Sequence, residues 1–179
     1  NYDGSSPHRG DGFQFHVGTM RSKSRGFVAI KNADPQNSPT IKFNYLSHSD
    51  DLKDFRNAIR ITRNILDQPA FKDYAGQEIQ PKPTVKSNRE LDEFIKSSVE
   101  SAFHPCGTCK MGDPADKETV VTPECKVNGV ENLFCADSSI FPSITNGNLN
   151  APSIMVGEKA VDHILNKPLL PKENLVPYN

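Results

Sequence analysis

The sequence predicts an α+β fold, in which an antiparallel sheet with flanking helices is followed by a smaller piece of an α/β domain. Two observations predict this fold class. The first 45 residues hold three short runs that suit strands, separated by turn-forming Gly, Asn and Pro residues. Beyond residue 49 the apolar period changes to the 3.6 residues of an amphipathic helix.

The three predicted strands lie at residues 12–18, 27–30 and 40–45. The first and third alternate apolar with polar residues, which is typical of strands that bury one face. A basic turn at 21–26 and a turn rich in Asn and Pro at 32–39 connect them. Because such short connections join neighbouring strands, we expect the strands to pair antiparallel.

Two helices are predicted to follow the sheet. The first begins at an N-cap provided by Ser49 or Asp50 and carries an apolar stripe as far as residue 66. The second follows Ser87, which forms a capping box with Glu90 three residues later. Its apolar face, at 91–102, is expected to pack into the core.

One more strand and one more helix are predicted near the end of the chain. Residues 133–136 are all apolar, as in a strand covered on both faces of a parallel sheet. The helix is predicted to be capped by Asn150, to hold Pro152 in its first turn and to stop at 166–168.

Composition excludes several classes of function. The 21 Lys and Arg residues balance 22 Asp and Glu residues, so no nucleic-acid partner is expected. No run approaches the 18 apolar residues of a membrane span, and the start of the sequence does not resemble a signal peptide, so a cytoplasmic location is expected. The chain begins at Asn1 without a methionine, which suggests a piece of a longer protein.

Four cysteines leave two further interpretations open. Cys106 and Cys109 have the C-x-x-C spacing of zinc ligands or of a redox pair. A structural zinc site would need a second close pair, whereas nine residues separate Cys125 from Cys135. No helix is predicted after the motif, as a thioredoxin-like site requires. Buried thiols are therefore favoured, with a small zinc or thiol-redox module on Cys106 and Cys109 as the alternative.

Two polar segments are candidates for chemistry. His104 precedes Pro105, which restricts His104 to an extended backbone and fixes the direction of its imidazole. Asn148 and Asn150 flank the predicted N-terminus of the last helix, where N–H groups and the helix dipole favour negative charge. Capping and turn formation are the alternative interpretation of these asparagines.

Four motifs, in order and at similar spacing, together resemble the C-terminal part of the glucose–methanol–choline (GMC) family of flavoprotein oxidoreductases. They are SAFHPCGTCKMG at 101–112, VNGVENL at 127–133, ADSSIFP at 136–142, and NLNAP at 148–152 with GEKA at 157–160. SKSRG at 22–26 and DFR at 54–56 resemble the choline dehydrogenase branch of the family. The resemblance covers residues 1–166.

The resemblance implies an FAD cofactor that accepts a hydride at N5 from an alcohol carbon. It implies that His104 handles the proton of the substrate hydroxyl and that Asn148 assists it. Asp137 and Ser138 would face the ribityl–pyrophosphate part of FAD, and Asn150 would face the pyrimidine edge, with Asn148 also near the flavin. No metal site is implied.

The dinucleotide fingerprint G-x-G-x-x-G is absent, because Gly10-Asp11-Gly12 lacks the third glycine. We therefore expect a C-terminal fragment. Residues 1–103 would belong to the substrate domain, 104–166 would carry the active-site segment with the last strand and helix of the FAD-binding domain, and 167–179 would be a tail. Alone, the chain is expected to bind FAD weakly or not at all and to be inactive.

The resemblance also implies the partners of the full-length enzyme. The substrate would be choline, oxidised to betaine aldehyde for osmoprotection, or another small primary alcohol. The electrons would pass to oxygen or to a quinone chain, and the enzyme could associate peripherally with the inner membrane.

Overall fold

A computed structural model describes residues 10–168, 170, 171 and 173 of the chain. Within these residues it contains two β-strands, three α-helices and two short 3₁₀ turns. The chain divides into two compact units, Asn1–Phe103 and His104–Asn179. The predicted tail at 167–179 falls mostly outside the described residues. No helix in the described ranges combines the length and the apolar character that crossing a membrane requires.

The first unit contains a two-stranded antiparallel sheet. β1 (Phe27–Ala29) pairs with β2 (Thr40–Lys42), and Val28 lies opposite Ile41. The predicted antiparallel pairing is confirmed, although both strands are shorter than expected. Gly26, the residue before β1, lies very close to the partner strand. A Cβ at this position would lie 1.9 Å from the Lys42 carbonyl oxygen. Only glycine fits this approach.

The strand predicted at 12–18 is wrong, since this segment has no strand structure. A strand needs a neighbour for its backbone hydrogen bonds, and none of the described segments pairs with it. Its aromatic residues pack instead against the 3₁₀ turn Pro69–Phe71. The ring centroid of Phe71 lies 6.4 Å from that of Phe13 and 6.2 Å from that of Phe15.

Two helices complete the first unit. α1 (Ser49–Leu66) packs against α2 (Asn88–Ser98), and Ile59, Leu91 and Ile95 form their buried core. The capping box of α2 is confirmed. The predicted cap of α1 is wrong, because the helix is capped by His48, whose Nδ1 accepts a hydrogen bond from the Asp50 N–H at 3.2 Å.

The second unit is built on α3 (Asn150–Ile164) and the 3₁₀ turn Ser138–Ile140. These elements pack around one apolar core, which also holds parts of the irregular segments at 104–149. The buried members of this core are Val121, Cys125, Ile140, Phe141, Leu149, Val156 and Ala160.

The covered parallel strand predicted at 133–136 is also wrong. The segment forms a single antiparallel bridge, between Phe134 and Lys126, and the Leu133 side chain is 49% exposed. The Cys135 N–H donates to the Cys125 carbonyl at 3.0 Å. An apolar run is insufficient here, because a covered strand requires neighbours on both edges, and among the described residues only 125–127 pairs with this segment.

Candidate active site

His104 is partly buried and opens the second unit. The segment that follows it lies beside the 3₁₀ turn Ser138–Ile140 and is held there by backbone hydrogen bonds. These bonds run from Gly107 N–H to Ser138 O (3.3 Å), from Cys109 N–H to Ser139 O (2.8 Å) and from Met111 N–H to Ile140 O (2.8 Å). The regular alternation of the bonds fixes the backbone that carries His104 to the backbone that carries Ser138.

Gly107 allows this close approach. Its φ of +88° lies in the left-handed region, and a Cβ there would lie 3.1 Å from the Phe141 carbonyl oxygen. An L-residue would therefore be strained and would also press on the neighbouring backbone. The glycine of the HPCGT motif is thus required by the turn that follows His104.

Asp137 and Ser138 are held by short local contacts. The Asp137 carboxylate caps the 3₁₀ turn, with its Oδ1 accepting from the Ser139 N–H at 2.8 Å. Hydrogen bonds from the Ser139 side chain and N–H lower the pKa of Asp137, so the group is an anion at neutral pH. The Ser138 hydroxyl donates to the Pro105 carbonyl oxygen at 3.4 Å, which links it to the residue next to His104.

The asparagine loop ends at a buried leucine. Leu149 is 4% exposed and anchors the loop in the core, while Asn148 and Asn150 on either side of it are exposed. The Asn148 Oδ1 atom accepts a hydrogen bond from the Asn150 N–H at 2.7 Å. Asn150 was expected to cap α3, but it is the first helical residue, and Leu149 occupies the cap position without a side-chain hydrogen bond.

The start of α3 offers fewer backbone donors than expected. The Asn150 N–H is already bonded to Asn148, and Pro152 has no N–H. Of the first three helical residues, Ala151 is left as the backbone donor toward a ligand. The helix dipole still places partial positive charge at this end.

The segments that carry the predicted site residues share one core, although these residues themselves are not among its members. Cys106, two residues after His104, packs against the core that includes Leu149, Ile140 and Phe141. This common core brings the segments at 104–111, 137–141 and 148–150 together. Within the described residues no direct hydrogen bond joins His104 to Asn148.

The cysteines form no disulfide. Burial raises the pKa of the Cys135 thiol, and the nearby Cys109 raises it further. Within the part of the chain that the structure describes, no group of three or more His, Cys, Asp or Glu side chains is arranged to hold a metal ion. A zinc module on Cys106 and Cys109 therefore gains no support from the geometry.

Sequence reasoning missed two polar groups of the second unit. The Thr145 hydroxyl oxygen is buried without a hydrogen-bond partner among the described residues. It belongs to the loop that leads to Asn148, and a threonine in a polar loop gives no sequence signal of this burial. The other is Ser139, whose backbone hydrogen-bonds both Asp137 and Cys109. The resemblance implied its neighbour Ser138 as a site residue instead.

A family model described as GMC oxidoreductase matches residues 22–157, well over half of the chain. The chain belongs to the GMC oxidoreductase family. All four resembling motifs begin within the matched range, and the last of them ends three residues beyond it. The family assignment made from these motifs is confirmed.

Curated GMC relatives match nearly the whole chain. An oxygen-dependent choline dehydrogenase of Brucella ovis is 59% identical over 177 residues, covering 99% of this chain and 32% of that protein. A protein of the same name from Rhizobium rhizogenes is 54% identical over 178 residues, again with 99% and 32% coverage. The chain thus spans about a third of the length of the curated relatives it matches.

Solved structures of GMC and FAD-dependent oxidoreductases have a similar fold. A pyridoxine 4-oxidase from Mesorbium loti is 31% identical with a TM-score of 0.76, and the match covers 84% of this chain and 29% of that one. A fungal aryl-alcohol oxidase is 30% identical with a TM-score of 0.72, covering 83% and 24%.

Proposed function

We propose that this chain forms part of an FAD-dependent alcohol oxidoreductase that oxidises choline to betaine aldehyde. The observation that carries the proposal is the 59% identity, over 99% of the chain, to the oxygen-dependent choline dehydrogenase of Brucella ovis. The site residues named below are proposals that the local geometry supports.

The residues of the second unit fit a polar, partly anionic cofactor. The buried Thr145 hydroxyl lacks a partner, and the Ala151 N–H lies at the positive end of the α3 dipole. The Thr145 hydroxyl and the Ala151 N–H could each form a hydrogen bond with a ligand that offers oxygen or nitrogen atoms near them. When FAD is bound, its flavin supplies the hydride-accepting chemistry.

His104 is proposed to handle the proton of the substrate hydroxyl. Pro105 restricts its backbone, and the hydrogen-bonded turn that follows, with Gly107 at its centre, fixes the chain that carries the imidazole. A group held in this way can accept the hydroxyl proton as hydride leaves the carbon, provided that it lies within hydrogen-bonding distance. Its partly buried position leaves the imidazole accessible to a substrate.

Asn148 is proposed to donate a hydrogen bond to the same substrate oxygen. Its Oδ1 atom already accepts from the Asn150 N–H, which fixes the rotation of the carboxamide. The Nδ2 group of Asn148 is therefore the donor that this carboxamide can offer to a substrate. A donor at this point stabilises the negative charge that develops on the oxygen when its proton is removed.

Asp137, Ser138 and Asn150 are proposed to bind the cofactor. The lowered pKa of Asp137 keeps it an anion, which accepts hydrogen bonds from sugar hydroxyls rather than from phosphate oxygens. Ser138 lies next to it with its hydroxyl oriented by Pro105. Asn150 has an exposed side chain at the first position of α3, where it can reach the edge of a flavin.

Another small alcohol is the second candidate substrate. The related solved structures include a pyridoxine 4-oxidase and an aryl-alcohol oxidase, whose names denote different alcohols. The names of the curated relatives favour oxygen over a quinone as the electron acceptor. We also propose that the 179-residue chain alone binds FAD weakly, since it lacks the dinucleotide fingerprint.

A chimera tests the proposal. In it, this chain replaces the matching third of the Brucella ovis relative, and flavin content and anaerobic flavin reduction by choline are measured. We expect the chimera to bind FAD and to be reduced by choline. His104→Ala should lower the rate of reduction by at least about a hundredfold, the size of one general acid–base contribution, while flavin content stays unchanged.

Two controls accompany the chimera. Asn148→Ala should slow reduction less than His104→Ala, and the isolated 179-residue chain should show little binding in a flavin fluorescence titration. A His104→Ala chimera that reduces its flavin at the unsubstituted rate would remove His104 from the mechanism. Rapid reduction by pyridoxine or benzyl alcohol, but not by choline, would favour the second candidate.

A further inference from the structure

Two Asn-Gly dipeptides lie in the second unit, Asn128-Gly129 and Asn146-Gly147. In such a dipeptide the glycine nitrogen can attack the asparagine carboxamide, because glycine has no Cβ to block the approach and its backbone is conformationally free. The reaction is intramolecular, so its rate depends on whether the local structure lets the two groups meet. The two dipeptides have different surroundings in the structure.

Asn128 is held by hydrogen bonds. Its Nδ2 group donates to the Thr119 carbonyl oxygen at 3.2 Å and to the Thr119 hydroxyl oxygen at 3.4 Å, and its N–H donates to the Val120 carbonyl at 2.9 Å. Thr119 is buried, so the carboxamide is bound to a packed part of the unit. Rotation of the Asn128 side chain would break its two side-chain bonds, and these bonds therefore restrict the carboxamide.

Asn146 has no such restraint. Its side chain is exposed, and within the described part of the chain neither its carboxamide nor the Gly147 N–H forms a hydrogen bond. Gly147 adopts a φ of +80°, and a Cβ placed on it would meet nothing within 4 Å beyond its chain neighbours. The side chain of Asn146 and the backbone of Gly147 are therefore free to sample conformations in which the two reacting groups meet.

We propose that Asn146 is a site of spontaneous deamidation to isoaspartate and aspartate, and that Asn128 is protected from the same reaction. The loop that carries Asn146 is anchored at both ends, since Ile144 packs against the core of the second unit and Leu149 is buried in it. Isoaspartate adds a methylene to the backbone between these anchors, in the stretch that also holds Asn148, and both products add a negative charge. The inference rests on the loop geometry and not on the proposed oxidoreductase function.

The reaction needs water as its only co-reactant. The Gly147 nitrogen attacks Cγ of Asn146, the bond from Cγ to the carboxamide nitrogen breaks, and ammonia leaves with the proton of the Gly147 N–H. The product is a cyclic succinimide. Water then opens the ring: addition at Cγ gives aspartate, and addition at the main-chain carbonyl carbon gives isoaspartate. No atom is oxidised or reduced.

Ageing of the folded 179-residue chain tests this site. The protein is kept at mildly alkaline pH, sampled over time and digested in weak acid with a protease that cuts after glutamate. Peptide 125–131 then holds Asn128, peptide 132–158 holds Asn146, and mass spectrometry locates the replacement of NH2 by OH. We expect deamidation to be at least about tenfold faster at Asn146 than at Asn128, because Asn128 reacts only after its two side-chain hydrogen bonds break.

Unfolding and matched variants provide the controls. In urea, where both dipeptides are exposed, the two rates should become similar. Asn146→Gln should remove most of the methylation of the aged chain by an isoaspartyl methyltransferase with labelled S-adenosylmethionine, whereas Asn128→Gln should leave most of it. The proposal is overturned if Asn128 reacts as fast as Asn146 in the folded chain, or if Asn146 stays intact there while it reacts in urea. This comparison of rates uses the unsubstituted chain, so it does not depend on whether a variant folds.

Discussion

Asp51, a charged residue of the first unit, is buried, with 2% of its surface exposed. Its carboxylate accepts hydrogen bonds from the Ser22 hydroxyl (2.7 Å), the Lys23 N–H (2.9 Å) and both the hydroxyl and N–H of Ser24 (2.5 and 3.2 Å). Burial alone would raise the pKa of Asp51, but these hydrogen bonds outweigh it and lower the pKa. One carboxylate thus fastens the basic turn at 21–26 to the first turn of α1.

Asp51→Asn should lower the free energy of unfolding by about 2 kcal/mol at pH 7, because it removes hydrogen bonds to a buried charge. Since the folded-state pKa is depressed, the contribution is full above the unfolded-state pKa of about 3.9 and is lost as the pH falls through the folded-state value. Urea unfolding of both proteins at neutral and acid pH should therefore give a difference that shrinks in acid. Asp50→Asn, at an exposed neighbour, is the control and should have little effect.

At the scale of single residues, the sequence pointed to candidate site residues but not to the side-chain contacts between distant positions. The motifs singled out His104 and Asn148 through family resemblance, and Ser22 to Gly26 as a matching segment. They could not reveal that Ser22 and Ser24 bind Asp51, because 29 and 27 positions separate those residues from it. Pairs at such separation meet only once the fold is formed.

At the scale of elements, the N-terminus of α2 can be tested directly. The Ser87 hydroxyl accepts from the Glu90 N–H at 3.2 Å, and Glu90 Oε2 accepts from the Ser87 N–H at 2.9 Å. Ser87→Ala should lower the free energy of unfolding by about 1 kcal/mol, because the first turn loses its cap. Ser87→Thr keeps the acceptor and should restore most of this loss in urea unfolding. Equal losses in both variants would show that the hydroxyl is not responsible.

Elements were predictable where their signals are local. The capping box of α2 lies within four residues, and the apolar stripes of α1 and α2 follow from the helical period, so both helices were predicted. The failures at 12–18 and 133–136 have a different cause. A strand depends on a partner elsewhere in the chain, and an apolar or alternating run does not specify one. The cap at His48 was missed because Ser and Asp are the commoner caps.

At the scale of the whole molecule, the two units have separate apolar cores. Ile59, Leu91 and Ile95 form the core of the first, and the group around Val121 and Ile140 forms that of the second. The motifs that carry the family resemblance fall mainly in the second unit, where few residues belong to regular elements. Its geometry rests on turns and backbone bonds between irregular segments, which periodicity cannot predict.

Hydrogen exchange should reveal these cores separately. Leu91→Ala leaves a cavity beside α1 and should cost about 2–5 kcal/mol. We expect faster amide exchange across 49–98 and unchanged protection at 107–141. Ile140→Ala, at a residue that is 1% exposed, should give the reverse pattern. If either variant accelerates exchange equally in both units, the chain unfolds as one cooperative body.

Leu149 couples the position of the asparagine loop to the apolar core of the second unit. The buried Leu149 side chain lies between the two exposed asparagines. A shift of the core residues that contact Leu149 would therefore move Asn148 and Asn150 together. The hydrogen bond between Asn148 and Asn150 restricts the movement of one relative to the other. Substitutions at buried residues of the same core, such as Val156, should therefore shift the asparagine loop without altering its exposed side chains.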